Sequence, residues 1–199
     1  MQRGSTLIEL MIGIAIVGTL LALGIPGFSA WIQNTQVRTA AESVQNGLQL
    51  ARAEAVRRNT DVQFAQTGAN WTVGCATAIE PGCPATIQAR SGAEGSANAA
   101  ITPSEVLSSG AAAGTAVFTG TVIFNGLGRV NTTSLGAGNN ASFLVTNIQD
   151  KCVACAAGST WSDCPTTTGQ MRCLRVVVST GGQIRMCDPA MLTSTPQGC

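Results

Sequence analysis

Met1-Gln-Arg3-Gly4-Ser5-Thr6-Leu7-Ile8-Glu9-Leu10-Met-Ile-Gly-Ile-Ala-Ile-Val-Gly-Thr-Leu-Leu-Ala-Leu-Gly24-Ile25-Pro26 opens the chain, and its reading decides the fold. Arg3 is the last base before Arg38, and Glu9 is the last acid before Glu42. The 23 residues from Leu10 to Ile32 carry no charge. As a helix they cover roughly 35 Å, enough for the hydrocarbon core of a bilayer. A secretory signal peptide would have a shorter apolar core followed by a small-residue cleavage site. Here the small residue, Gly4, precedes the core. Arg3 on the short flank orients the N-terminus to the cytoplasm, so the bulk of the chain is exported. Glu9 is the anomaly. A carboxylate in hydrocarbon costs about 2.5 to 3.5 kcal/mol at a helix centre and less near an end, so it calls for a partner. The alternative is an acid at the helix N-terminus, favoured by the helix dipole.

The helix does not stop with the apolar run. Val37, Ala41, Val44, Leu48, Ala51 and Ala55 recur at alternating spacings of four and three, drawing one stripe through about Arg58. The first half suits lipid or a filament core, and the amphipathic second half suits packing under a sheet. Pro26, with Gly24 and Gly27, is expected to kink or loosen the rod between them. Arg38, Glu42, Arg52, Glu54, Arg57 and Arg58 form a solvated face, with Glu54 and Arg58 at the favourable four-residue spacing. Asn59-Thr60-Asp61 ends the helical period and starts a period of two.

The run Gly4-Ser5-Thr6-Leu7-Ile8-Glu9-Leu10-Met11, followed by the apolar helix and Pro26, resembles the N-terminus of type IV pilins and type II secretion pseudopilins. Ala51-Arg52-Ala-Glu54-Ala55-Val-Arg-Arg58-Asn59, leading directly into Val62-Gln-Phe64, is similar to the GspH/FimT group of minor pilins and pseudopilins, including its FimU-like members. The resemblance implies an α+β type IV pilin fold, with a long N-terminal stem helix on an antiparallel, disulfide-tied head. It implies a leader over 1–4 that a prepilin peptidase cuts after Gly4, with Ser5 the N-methylated new terminus. Ser5 departs from the phenylalanine usual in the family. Glu9 then neutralises the terminal amine of a neighbouring subunit, and Pro26 occupies the family's proline position. The expected boundaries are 1–4 leader, 5–32 membrane or filament-core half, 33–59 amphipathic half and 60–199 periplasmic head.

The head reads as short strands separated by Gly, Asn, Ser and Pro: 61–66, 70–74, 86–90, 116–124, 129–131, 142–148, 173–179 and 183–187. Asn125-Gly126 and Gly181-Gly182 are hairpin-turn dipeptides. Between Ser91 and Gly114 the composition turns small and polar, which predicts a long or mobile loop. The eight cysteines, Cys75, Cys83, Cys152, Cys155, Cys164, Cys173, Cys187 and Cys199, all lie beyond the stem and fit an oxidising compartment. Local pairing is expected, Cys75 with Cys83 and Cys187 with Cys199, the other four among themselves. Cys152-Val-Ala-Cys155 has zinc-ligand spacing, but the following pair is eight residues apart and the chain has no histidine, so no metal is assigned.

With no His, no Tyr and a single lysine, general acid and base work has few carriers, and neither a phosphate loop nor a nucleophile turn is present. An enzyme is therefore not expected, nor a cofactor. Net charge is +1, so nothing global points to nucleic acid. Locally, Arg129, Lys151, Arg172, Arg175 and Arg185 fall on the C-terminal strands and hairpins and are candidate DNA contacts. Some FimT-like relatives bind DNA there through a Gly-Arg-x-Arg pattern. This chain reads Gly182-Gln183-Ile184-Arg185, without the first arginine. The overall expectation is an inner-membrane, single-pass precursor that enters the filament or tip complex of a pilus or secretion pseudopilus. Its partners would be the prepilin peptidase, other pilins, the assembly platform and the membrane. A DNA-uptake module and a membrane-anchored periplasmic adhesin are the alternatives.

Overall fold

A computed structural model describes residues 6–79, 82–107, 118–131, 134–136, 138–148, 152–153, 155, 169, 171–192 and 194–199, with backbone alone at 24–27. One helix, α1 (Leu7–Arg58), runs 52 residues without a break, and its backbone stays helical at Pro26. At 1.5 Å per residue it is about 78 Å long. Asn59 ends it in the left-handed region, φ 51° and ψ 44°, and its N–H reaches back to the carbonyls of Ala55 and Val56. Asparagine tolerates that conformation better than most side chains, which is why the chain turns here into the first strand.

Among the described residues, eight strands follow in two antiparallel sheets. β1 (Val62–Thr67), β2 (Asn70–Cys75), β3 (Gln88–Arg90) and β5 (Thr121–Phe124) form the order β3-β2-β1-β5. β4 (Ala99–Leu107), β6 (Asn139–Asn147), β7 (Leu174–Val178) and β8 (Ile184–Cys187) form the order β4-β6-β7-β8. Both sheets lie on the second half of α1, and all six stripe residues from Val37 to Ala55 are buried against them. Phe64 of β1 and Phe143 of β6 meet edge to face with centroids 5.6 Å apart, which joins the two sheets over the helix. Trp71 adds a buried hydrogen bond, its Nε1 donating to Ser43 Oγ at 2.8 Å.

Where a loop was expected between Ser91 and Gly114, β4 pairs with β6 over nine positions from Ala99↔Asn147 to Leu107↔Asn139. Small residues and a central Pro103 hide the strand from composition. The proline is tolerated because β4 is the edge of its sheet. The Ile101 carbonyl accepts from Gln66 Nε2 of the other sheet at 3.3 Å, so that residue's polar groups face away from β6. Pro103, two residues on, shares this direction, and its missing N–H removes nothing from the β4–β6 ladder.

Gly47 sets the distance between α1 and the first sheet. A Cβ there would lie 2.8 Å from Phe64 Cε2 and 3.1 Å from the Trp71 ring. Gly47→Val should therefore destabilise the protein by about 1–3 kcal/mol through overpacking. Urea unfolding of the full chain in detergent, followed by Trp fluorescence, measures this; an unchanged midpoint would mean the helix and sheet are not in tight contact.

Candidate functional site

Among the described residues, the first half of α1 has no partner. Leu7, Ile8, Leu10, Met11, Ile14, Leu20 and Leu23 are each more than half exposed, as are Phe28 and Trp31 near its end. The helix is long and apolar enough to cross a membrane, with a mean hydropathy of 2.3 over its most apolar 18-residue window, none of it buried. By contrast, the stretch from Val37 onward is amphipathic and packed.

Glu9 closes a capping box with Thr6. The Thr6 N–H donates to Glu9 Oε2 at 2.9 Å, Thr6 Oγ1 donates to the same oxygen at 3.0 Å, and the Glu9 N–H donates to Thr6 Oγ1 at 3.4 Å. Thr6 is thus a residue the sequence argument passed over, although Thr-x-x-Glu before an apolar run is a readable capping signature. The capping oxygen is Oε2, and the exposed carboxylate keeps lone pairs for a further donor. Gly4 and Ser5 lie outside the described residues.

Among the described residues, the candidate DNA contacts do not form one surface. Arg175 is fully buried: its guanidinium donates to Ser142 Oγ at 2.9 Å, on the side of β7 opposite Val176 and Val178, which face α1. It is a structural cation and is withdrawn as a DNA contact, because a buried side chain cannot reach a phosphate. Arg172 is exposed and lies 3.4 Å from Asp188, while its backbone N–H donates to Asn34 Oδ1. Arg129 is exposed beside Gly128, whose carbonyl accepts from Arg52 Nε at 3.1 Å. Asn34 and Arg52 are about 27 Å apart along α1, so Arg172 and Arg129 sit at opposite ends of the head. Arg185 is exposed on β8, near the carbonyl of Cys199. Lys151 lies outside the described residues.

Disulfides join Cys75 to Cys83, Cys152 to Cys173 and Cys187 to Cys199. Cys155 is also disulfide-bonded, and Cys164 lies outside the described residues. The Cys152-Val-Ala-Cys155 spacing therefore serves covalent cross-links, not thiolate ligands.

On the helix surface Glu54 holds two arginines, Arg57 Nη2 at 2.6 Å and Arg58 Nε at 2.8 Å. Arg58 also donates to the Gly82 carbonyl, which ties the end of the helix to the loop carrying Cys83.

This long helix under two antiparallel sheets, cross-linked by disulfides, is the α+β arrangement that the resemblance to type IV pilins implies. The profile described as "Type II transport protein GspH" matches residues 40–182, and that of the "Prokaryotic N-terminal methylation motif" matches residues 1–25. The chain belongs to the GspH family. It is 44% identical over 54 residues to the type IV major fimbrial protein FimA of Dichelobacter nodosus, covering 27% of this chain and 33% of that protein. It is 38% identical over 66 residues to a fimbrial protein of Pseudomonas aeruginosa, covering 33% of this chain and 42% of that protein. These matches thus take in 33% to 42% of the length of the curated relatives. Among solved structures, the minor pilin FimU of Pseudomonas aeruginosa aligns at a TM-score of 0.47 and 17% identity, over 85% of this chain and 98% of that one. Escherichia coli GspH aligns at 0.43 and 16%, over 79% and 92%.

The Glu54 carboxyl is held below its ordinary value of 4.5, first by the hydrogen bond from Arg57; partial burial opposes this, and the Arg58 hydrogen bond and both charges add to it. A lowered folded-state value means that the contribution is complete above the unfolded value and is lost as pH falls through the folded one. Glu54→Gln should therefore unfold at lower temperature than wild type at neutral pH, and the two melting curves should converge as pH falls through the lowered carboxyl value, below the ordinary 4.5. A gap that persists into acid would show that the ion pairs do not contribute.

Proposed function

We propose that this chain is a minor pilin or pseudopilin, a structural subunit of a type IV pilus or type II secretion pseudopilus that carries no catalytic centre. The observation that carries this reading is the division of α1: one unbroken helix whose first half is apolar on every face and exposed wherever its side chains are described, and whose second half is the spine of a folded head. Family membership and the N-terminal methylation motif support it.

On this reading, residues 1–4 are a leader removed by a prepilin peptidase, and Ser5 becomes the N-methylated terminus. Residues 5–32 hold the precursor in the inner membrane and later pack among other stems, in the tip or initiation complex of the filament. Residues 33–59 and 60–199 form the periplasmic head, and Pro26 lies within the packed stem. Stem packing provides non-directional affinity. Glu9 provides register, because a carboxylate in an apolar bundle is stabilised only where a cation, the terminal amine of an adjacent subunit, meets it. DNA uptake is the weaker reading, since burial of Arg175 and the separation of Arg129 from Arg172 leave too few neighbouring cations for a phosphate track. The adhesin reading differs in keeping the leader uncut.

Glu9→Ala should leave membrane insertion intact and lower incorporation into sheared filaments by about tenfold or more, as expected for a charge left without its partner. Immunoblots of the membrane and sheared fractions measure both, and normal incorporation would remove the register role. Mass analysis of the N-terminus should find a methylated Ser5, and Gly4→Val should leave Met1 in place; an uncut wild-type chain would favour the adhesin reading instead.

A further inference from the structure

Beside the point where the exposed stem becomes the buried spine, a cavity of about 480 Å³ opens between α1 and the end of the second sheet. Asn34 and Arg38 of α1 form one wall, and Arg172, Leu174, Met186 and Met191 form the floor and the other wall. The Arg172 N–H bonded to Asn34 Oδ1 at 3.1 Å closes the side where the two walls meet.

Two observations place the mouth of this cavity at the outer edge of the lipid headgroups. One is its position on the helix. Arg38 is the first charge after the long uncharged run, and it stands six residues, about 9 Å, beyond Ile32. The polar layer of a leaflet is about 5–8 Å thick, so Asn34 falls within it and Arg38 at its outer edge. The other is an aromatic depth marker. Trp31 is 63% exposed and stacks on Phe28 with centroids 5.9 Å apart, in the manner of the aromatic belts that mark membrane interfaces. Seven residues separate Trp31 from Arg38, within about 20° of two full turns, so the indole lies on the same helix face, about 10 Å below the cavity mouth.

The charge arrangement suits a phosphate. Arg38 reaches Glu42 through Nε at 2.9 Å, and Arg172 reaches Asp188 through Nη1 at 3.4 Å. Each contact uses one edge of a guanidinium that has five N–H donors. The two side chains remain 74% and 65% exposed. Glu42 stands half exposed beside Arg38, and Asp188, buried, lines the cavity beside Arg172, so the rim offers guanidinium N–H donors over an apolar floor without a net positive charge.

We propose that this cavity seats the headgroup of an anionic membrane phospholipid, its phosphate between Arg38 and Arg172 and its acyl chains descending past Trp31 along the stem. The proposal rests on the membrane-anchored reading of the precursor. Such a seat holds the head upright on the membrane before assembly, and the lipid must leave when the subunit is drawn into a filament.

The test is native mass spectrometry of the full chain, released from detergent micelles with phosphatidylglycerol added. Wild type should retain one lipid. Arg38→Gln and Arg172→Gln should each lower the retained fraction, together by about tenfold or more, as expected for two interfacial cations. Arg129→Gln, at the far end of the head, should leave retention unchanged. Arg38→Gln removes only an exposed ion pair on the helix surface, so it carries the test even if Arg172→Gln unfolds by uncovering Asp188. Equal retention by wild type and Arg38→Gln would overturn the proposal. So would displacement of the lipid by an equal concentration of inorganic phosphate, which would point to a site for free anions. Alkaline carbonate extraction separates this from the underlying reading: a chain released by carbonate removes the membrane anchor itself, whereas an embedded chain that retains no lipid removes only the headgroup seat.

Discussion

One helix has to satisfy two solvents, and the rest of the molecule depends on that. An α-helix meets its backbone hydrogen-bonding needs internally whatever surrounds it, so α1 can leave a lipid-like environment and enter a protein core without changing conformation. What changes is the side chains. Up to about Ile32 they are apolar on all faces and, among the described residues, largely exposed; from Val37 a single stripe is buried, and Arg38, Glu42 and Glu54 lie outside it. Since the backbone is continuous, the orientation of the stem and that of the head are coupled through one rod.

The head is built to suit that rod. Ala40, Ala41, Gly47, Ala51 and Ala55 keep the contact face of the helix thin, and Phe64, Trp71, Phe124 and Phe143 fill the space above it. Aromatic residues are only 4% of the chain, so few large groups close the core, and cross-links do much of the remaining work. The bonds Cys75–Cys83, Cys187–Cys199 and Cys152–Cys173 close segments with separations of 8, 12 and 21 residues. Each stabilises chiefly by limiting the unfolded chain. Cys187–Cys199 also brings the C-terminus against Val106 and Val177, covering part of the sheet face turned away from α1.

Legibility from the sequence followed the range of the interactions involved. The stripe, the helix end at Asn59, the Glu54–Arg58 pair and the turns near Asn125 and Gly181 are local, and each could be read from residues within a few positions of one another. β4 could not, because Ala99 to Leu107 has little strand character of its own and is held by β6, some forty residues later. Arg175 could not either. Among valines in a strand it reads as a candidate DNA contact, and only the pairing of β7 with β6, which brings Ser142 to its guanidinium, together with its burial, shows it as an interior group.

The sequence by itself determined the class of molecule: the uncharged run after Gly4, the carboxylate at its mouth and the spacing of the stripe are one-dimensional patterns, and hydrophobic periodicity maps directly onto a helix and the face it buries. Only the tertiary structure decided which charges are available to partners. Whether an arginine is exposed depends on which strands and loops lie across it, and those come from distant parts of the chain. That is why Arg175 became an interior group, why Arg129 and Arg172 went to opposite ends of the head, and why Arg38 and Arg172, 134 positions apart by their numbering in the chain, came to flank one cavity.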